Sequence, residues 1–230
     1  MESEKDIGVT IDTDLNFYEH FNEKINKANR LLGMIRRTFI SLDEKIFKSL
    51  YKGIVRPHLE YGNPVWNPYR KKDINMIEAV QRRATKLVPT LKDLPYEERL
   101  KKLDLPTLKY RRARGDMIEV YKIVSGIYDP KVCEDLFQLN VDNRTRGSSK
   151  KLFKGRSRLN LRKYSFCSRV VDNWNGLREE IVSAESVKSF EARLDKWWSR
   201  QQCKFDFSYD IDNSGRHNQP IDSELESQAQ

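Results

Sequence analysis

Phe21-Asn-Glu-Lys-Ile25-Asn-Lys-Ala28-Asn-Arg-Leu31-Leu32-Gly-Met-Ile35-Arg-Arg-Thr-Phe39 decides the fold class. Its apolar residues recur every three or four positions, with Lys24, Lys27, Arg30 and Arg37 between them, and that is the period of one face of a helix rather than of a strand. A long amphipathic helix is therefore predicted from about Tyr18. Downstream, Ser41-Leu-Asp-Glu44 has the spacing of a capping box, which predicts a second helix carrying Ile46, Phe47, Leu50, Tyr51 and Ile54 and ending before Pro57. Prolines 57, 64 and 68 with Gly62 break the next stretch, where Tyr61, Val65, Trp66 and Tyr69 suggest a buried connection. Ile74, Ile77, Val80, Ala84 and Leu87 mark a helix that stops at Pro89. Shorter and longer helices follow near Pro95 to Leu103 and Pro106 to Val124, the second closed by Gly126. Phe166, Val170, Trp174 and Leu177 reopen the period up to Asn175-Gly176, and a last helix runs from Ser186 through Phe190, Leu194, Trp197 and Trp198. Trp66, Trp174 and Trp197 are expected to be buried.

Upstream the pattern differs. Ile7-Gly-Val-Thr-Ile-Asp12 alternates apolar and smaller residues and reads as one short strand ended by the Asp12-Thr-Asp14 turn, its partner not evident or lying upstream. The expected fold class is mainly α, a helical bundle-like arrangement with one short N-terminal strand and a basic, partly irregular segment before the C-terminal helices. The expected divisions are residues 1–16 as a strand remnant, 17–128 as a helical region, 129–163 as connector and basic segment, 164–203 as C-terminal helices, and 204–230 as a disordered acidic tail.

The chain has 230 residues, with 43 Lys plus Arg against 34 Asp plus Glu, a formal charge of +9. Residues 1–20 hold one base and six acids, and residues 204–230 hold two bases and six acids, so the excess of bases belongs to the middle of the chain. Such an asymmetry fits a polyanionic partner, and it also fits a solvated basic surface. No apolar run approaches the roughly 20 residues a membrane helix needs, and Met1 to Asp6 has no basic region leading into an apolar stretch, so no membrane partner and an intracellular location are expected, nucleus or cytoplasm undivided. Cys133, Cys167 and Cys203 show no Cys-x-x-Cys spacing.

Between Asp142 and Asp172 the chain has no acid and ten bases. Phosphate binding needs cations without carboxylates beside them, so Arg144, Arg146, Lys150, Lys151, Lys154, Arg156, Arg158, Arg162 and Lys163 are the candidate nucleic-acid-binding residues. Phe153, Tyr164 and Phe166 are interleaved as possible stacking platforms, although Phe166 shares a helical face with Val170 and Trp174 and is assigned to the core. Two further basic clusters, Arg99 to Arg114 and Arg70 to Lys86, read as solvated faces. Asp12 and Asp14 suit a turn better than a metal site, His20, His58 and His217 lie apart, and no Asp-Asp pair occurs, so no catalytic and no metal-ligating residue is assigned.

Several strings in order resemble a known family. Ile7-Gly-Val-Thr-Ile-Asp12, Lys27-Ala-Asn-Arg-Leu-Leu-Gly33, Val55-Arg-Pro-His-Leu-Glu-Tyr61, Trp66-Asn-Pro-Tyr69, Ile77-Glu-Ala-Val-Gln-Arg-Arg-Ala84, Tyr110-Arg-Arg-Ala-Arg-Gly-Asp116 and Trp174-Asn-Gly-Leu177 look like the C-terminal, post-palm region of reverse transcriptases from jockey-like, LINE-type non-LTR retrotransposons. The resemblance spans roughly residues 6 to 200. It implies that the helices correspond to a thumb and the region beyond, that RNA and DNA backbone are the partners together with an upstream palm and fingers, and that the divalent metals of nucleotidyl transfer belong to the palm. For this chain alone it implies no cofactor, no catalytic residue and no polymerase activity. The competing expectation is a helical protein-interaction or structural module whose bases only solubilise it.

Overall fold

The computed structural model describes residues 3–133, 135–140 and 150–213. They form a mainly helical protein with one two-stranded antiparallel sheet, β1 (Ser3–Asp6) and β2 (Val9–Asp12), in which Ser3 faces Asp12 and Asp6 faces Val9. The strand read at Ile7 thus finds its partner four residues upstream. Ile7 itself is not in a strand. It and Gly8 both have positive φ, 41° and 80°, as a two-residue hairpin turn requires, and the Ile7 side chain is 80% exposed. The Tyr61 hydroxyl donates to Ile7 O at 2.9 Å, and a Cβ on Gly62 would stand 3.0 Å from Val9 Cγ2, so the hairpin is seated on the proline-rich connection. After β2, the Asp12 carboxylate accepts from Asn16 N and Phe17 N at 2.9 and 2.6 Å, the turn role expected of it.

Helix α1 (Tyr18–Thr38) buries His20, Phe21, Ile25, Ala28, Leu32 and Ile35, the stripe that its sequence announces. Helix α2 (Glu44–Leu50) begins two residues after the start that the expected box implies: the N-cap is Asp43, whose carboxylate accepts from Ile46 N at 2.7 Å. Pro57 does not stop the helical path. The turn Tyr51–Val55 widens so that Arg56 N donates to Tyr51 O, five residues back, and Pro57 then sits at the first position of α3 (Pro57–Glu60), where its missing N–H is not required. In the connection that follows, with α4 (Asn63–Trp66), Trp66 is buried as expected. Val65 is on the outer side of that short helix, and it and the flanking Tyr61 and Tyr69 stay exposed.

Helix α5 (Lys71–Thr85) and α6 (Tyr96–Leu103) complete a first core running from Val9 to Leu108. Within it Glu78 is fully buried and accepts from the Tyr96 hydroxyl at 2.6 Å and from Leu108 N at 3.1 Å, which fastens the start of α7 (Leu108–Val124). Burial holds the Glu78 carboxyl above its ordinary range. Gly126 closes α7 in the left-handed conformation, φ 68°, as expected.

A second core gathers Tyr110, Met117, Val120 and Tyr121 of α7 with residues from Leu152 to Cys203. The cores therefore meet on α7, whose two ends serve different lobes. The second lobe is made of α8 (Pro130–Cys133), α9 (Asn160–Tyr164), α10 (Phe166–Arg169), α11 (Val171–Asn175), α12 (Glu179–Val182) and α13 (Val187–Trp197). Trp174 is fully buried. At the end of α13, Trp198 is fully buried and Trp197 packs half-buried against the second core, Arg178 lying over its ring. No helix among the described residues is long and apolar enough to cross a membrane.

Candidate nucleic-acid interface

The basic segment is held at its root by side chains that bind backbone. Asn175 Oδ1 accepts from Leu152 N at 2.8 Å while Asn175 Nδ2 donates to Leu152 O at 2.9 Å, and Trp174 Nε1 donates to Lys150 O at 2.8 Å. Leu152 is buried in the second core. Beyond it, residues 153–159 run outward without regular structure until α9, so the bases at 154, 156 and 158 are presented on an exposed loop.

Lys154, Arg156, Arg158 and Lys163 converge with Tyr164 and Ser168 on a concavity of about 680 Å³. Its one carboxylate, Asp172, is paired with Lys154, which leaves the other cations to set the local potential. Arg162 is exposed on α9 but lies outside this concavity. Lys150 stands 6.0 Å over the Tyr121 ring, and it and Lys151 occupy the segment root rather than the concavity. Arg144 and Arg146 lie outside the described residues. Thus four of the nine candidates are brought together.

At the end of α9, Tyr164 stacks on Tyr69 of the first lobe, ring centroids 4.3 Å apart and planes 7° apart. Lys163 lies 5.4 Å from the Tyr164 centroid and Arg70 5.4 Å from that of Tyr69, so each ring carries a cation. Phe166 packs against Phe137 at 5.8 Å and belongs to the second core, as expected, whereas Phe153 is exposed.

Behind the stacked tyrosines is a polar seam. Arg169, the last base of the acid-free stretch, turns inward to Asp116 Oδ1 at 2.9 Å and to Pro64 O at 3.1 Å. Asn63 donates to the same carboxylate oxygen at 3.1 Å, and Arg112 Nε donates to Asn67 Oδ1 at 3.0 Å. Burial pushes the Asp116 carboxyl up to about 6, against the pull of Arg169. A cavity of about 300 Å³ between the lobes is lined by Tyr69, Tyr164, Arg112, Asp116 and Arg169. Arg169 is therefore a structural ion-pair partner.

In the Arg99 to Arg114 cluster Lys101 and Lys102 are exposed, as a solvated face requires, but the arginines are not part of such a face. Arg99 is buried and donates to the carbonyls of Leu94 and Arg82, Arg111 pairs with Glu60, and Arg114 pairs with Asp195 at 2.6 Å. These arginines tie segments together. Tyr69, Arg70 and Ser168 were not legible as site residues, since their link to Tyr164 and the loop is made across the lobes and no local spacing encodes it.

No family model and no solved structure matches the chain. A curated relative is an uncharacterized protein of Caenorhabditis elegans, B0403.1, which is 25% identical over 126 residues, 54% of this chain and 64% of that protein. The chain thus matches less than two thirds of that relative's length.

Proposed function

We propose that the chain grips the sugar-phosphate backbone of RNA or DNA, as the post-palm part of a retrotransposon-type RNA-directed DNA polymerase. One observation carries the reading: Lys154, Arg156, Arg158 and Lys163 line one concave surface whose single carboxylate is already paired. Cations so placed displace counterions from a polyanion whatever its sequence. The order of the strings from Ile7 to Leu177 supports the polymerase lineage. With no Asp-Asp pair in the chain, the proposed role is binding, and nucleotidyl transfer is assigned to a palm.

Binding of a labelled single strand across a salt series tests this. Each neutralised phosphate adds about −0.7 to the slope of log K against log salt, so Arg156→Ala, Arg158→Ala and Lys163→Ala together should lower the slope by about 2. The loss should be alike for every sequence. A triple variant that binds RNA and DNA as tightly as the parent at low salt would remove this segment from the interface. Tyr164→Ala distinguishes a stacking contact, which would cost about 1 to 3 kcal/mol of binding, from a ring that serves only to join the lobes.

A further inference from the structure

On the first lobe, away from the basic loop, the C-terminal half of α1 and the end of α5 leave a groove of about 760 Å³ between them. Leu32, Phe39, Leu42 and Leu87 line it with apolar surface, and Ile40 stands fully exposed at its edge. Arg36, Arg83 and Lys86 line it as well. All three are exposed, none makes an ion pair with a described residue, and no Asp or Glu among the described residues lines the groove. Gly33, in mid-helix, adds to the opening: a Cβ placed there would meet nothing within 4 Å.

We propose that this groove docks a segment of a partner protein that carries aliphatic anchors flanked by carboxylates. The lining decides the chemistry. An aliphatic floor suits leucine-like side chains, and three exposed cations at the same surface suit acids beside those anchors. A nucleic-acid strand would meet the cations but find Phe39 as the sole aromatic ring, and that ring half-buried, where base stacking needs open aromatic faces. The volume is that of an ordinary recognition pocket and leaves room for a few side chains. The groove shares no residue with the basic concavity, so this proposal stands or falls without the nucleic-acid reading.

Fluorescence anisotropy with the full chain tests it, using three labelled probes: a 16-residue helical peptide of Glu with a Leu stripe at i, i+3 and i+4 spacing, the same peptide with each Leu replaced by Ser, and a 20-nucleotide oligo-dT. The Leu peptide should bind at least tenfold more tightly than the Ser peptide. Gly33→Leu, which fills the groove from a helical position, should weaken the Leu peptide at least tenfold with the melting temperature unchanged or raised. Arg36→Glu with Lys86→Glu should weaken it and flatten its salt dependence, while Arg156→Ala with Arg158→Ala should leave it unmoved. Equal binding of the Leu and Ser peptides would overturn the proposal, as would a Gly33→Leu chain that binds the peptide normally. So would a Gly33→Leu effect confined to oligo-dT, or one that only dissolves a self-association of this chain.

Discussion

The two lobes bury similar aromatic and aliphatic side chains but are fastened differently. The first is built on long helices: α1 has 21 residues and α5 has 15, each with a continuous apolar stripe. The second contains α9 to α12, none longer than five residues, and ties them with side chains that bind distant backbone. Asn175 brackets Leu152, Trp174 holds Lys150, Tyr121 donates to Ala184 O at 2.6 Å, and Gln201 exchanges two hydrogen bonds with Asp212. A long helix satisfies its own backbone and needs only one apolar face. Short segments leave backbone donors and acceptors open, and side chains from elsewhere must meet them.

The largest expected effect follows from that contrast. Truncating a fully buried ring costs about 3 to 5 kcal/mol in either lobe, so Trp174→Ala and Phe47→Ala should both lower the denaturation midpoint strongly. Their local consequences should differ. Trp174→Ala also removes the hydrogen bond to Lys150 O at the root of the basic segment, and native-state trypsin should then cut faster between Lys150 and Arg162. Phe47→Ala, confined to the helical lobe, should leave that rate near the parent value under conditions where both variants remain folded. Equal acceleration in both variants would mean that the lobes open together and that the hydrogen-bond clamps have no separate effect.

A second way to separate the regions is pH. In the first lobe His20 accepts from Thr10 N at 3.1 Å, and burial chiefly, with Lys24, pushes its pKa from 6.5 down to about 4. As pH falls below 6.5 the unfolded chain takes up a proton that the folded chain refuses, so this group lowers stability between about pH 6.5 and 4, by at most about 3 kcal/mol. At the seam Asp116 works the other way. Its carboxyl is raised from 3.8 to about 6, so as pH falls through that window the folded chain holds the proton more tightly and stability rises. Relative to the parent, His20→Asn should therefore gain stability as pH falls from 7 to 4.5, and Asp116→Asn should lose it. Proton NMR of the His20 ring showing an ordinary transition near pH 6.5 would end the argument for the first lobe.

The same contrast explains what could be read from the chain beforehand. Helices such as α1, α5 and α7 were legible because burial on one face imposes a period, and the turn at Asp12 and the stop at Gly126 because local backbone chemistry imposes a residue type. Contacts between distant segments leave no such trace. Nothing around Tyr69 points to Tyr164, nothing around Arg169 distinguishes an inward ion pair from a phosphate contact, and Ile7 looks like a strand residue until Ser3–Asp6 is seen to pair with Val9–Asp12. The candidate interface was legible as a charge pattern. Which of its bases converge depends on the loop root at Leu152, a tertiary feature.

The smallest expected effect concerns the start of α2, where local pattern alone suggests two answers. Ser41 and Glu44 have capping-box spacing, yet the observed cap is Asp43, with Leu42 before it and Phe47 four residues into the helix, both buried in the first core at the spacing of a hydrophobic staple. The staple fixes where the chain enters the helix, and that places the Asp43 carboxylate, not the Ser41 hydroxyl, against the free N–H of Ile46. Removing a cap of this kind costs about 1 kcal/mol, so Asp43→Ala should lower stability by that amount at neutral pH, and Ser41→Ala, on an exposed residue outside the helix, should change it by no more than a few tenths. Urea denaturation of the two variants beside the parent resolves the difference. The reverse order would put the helix start two residues earlier and would mean that the Leu42–Phe47 staple does not set the cap.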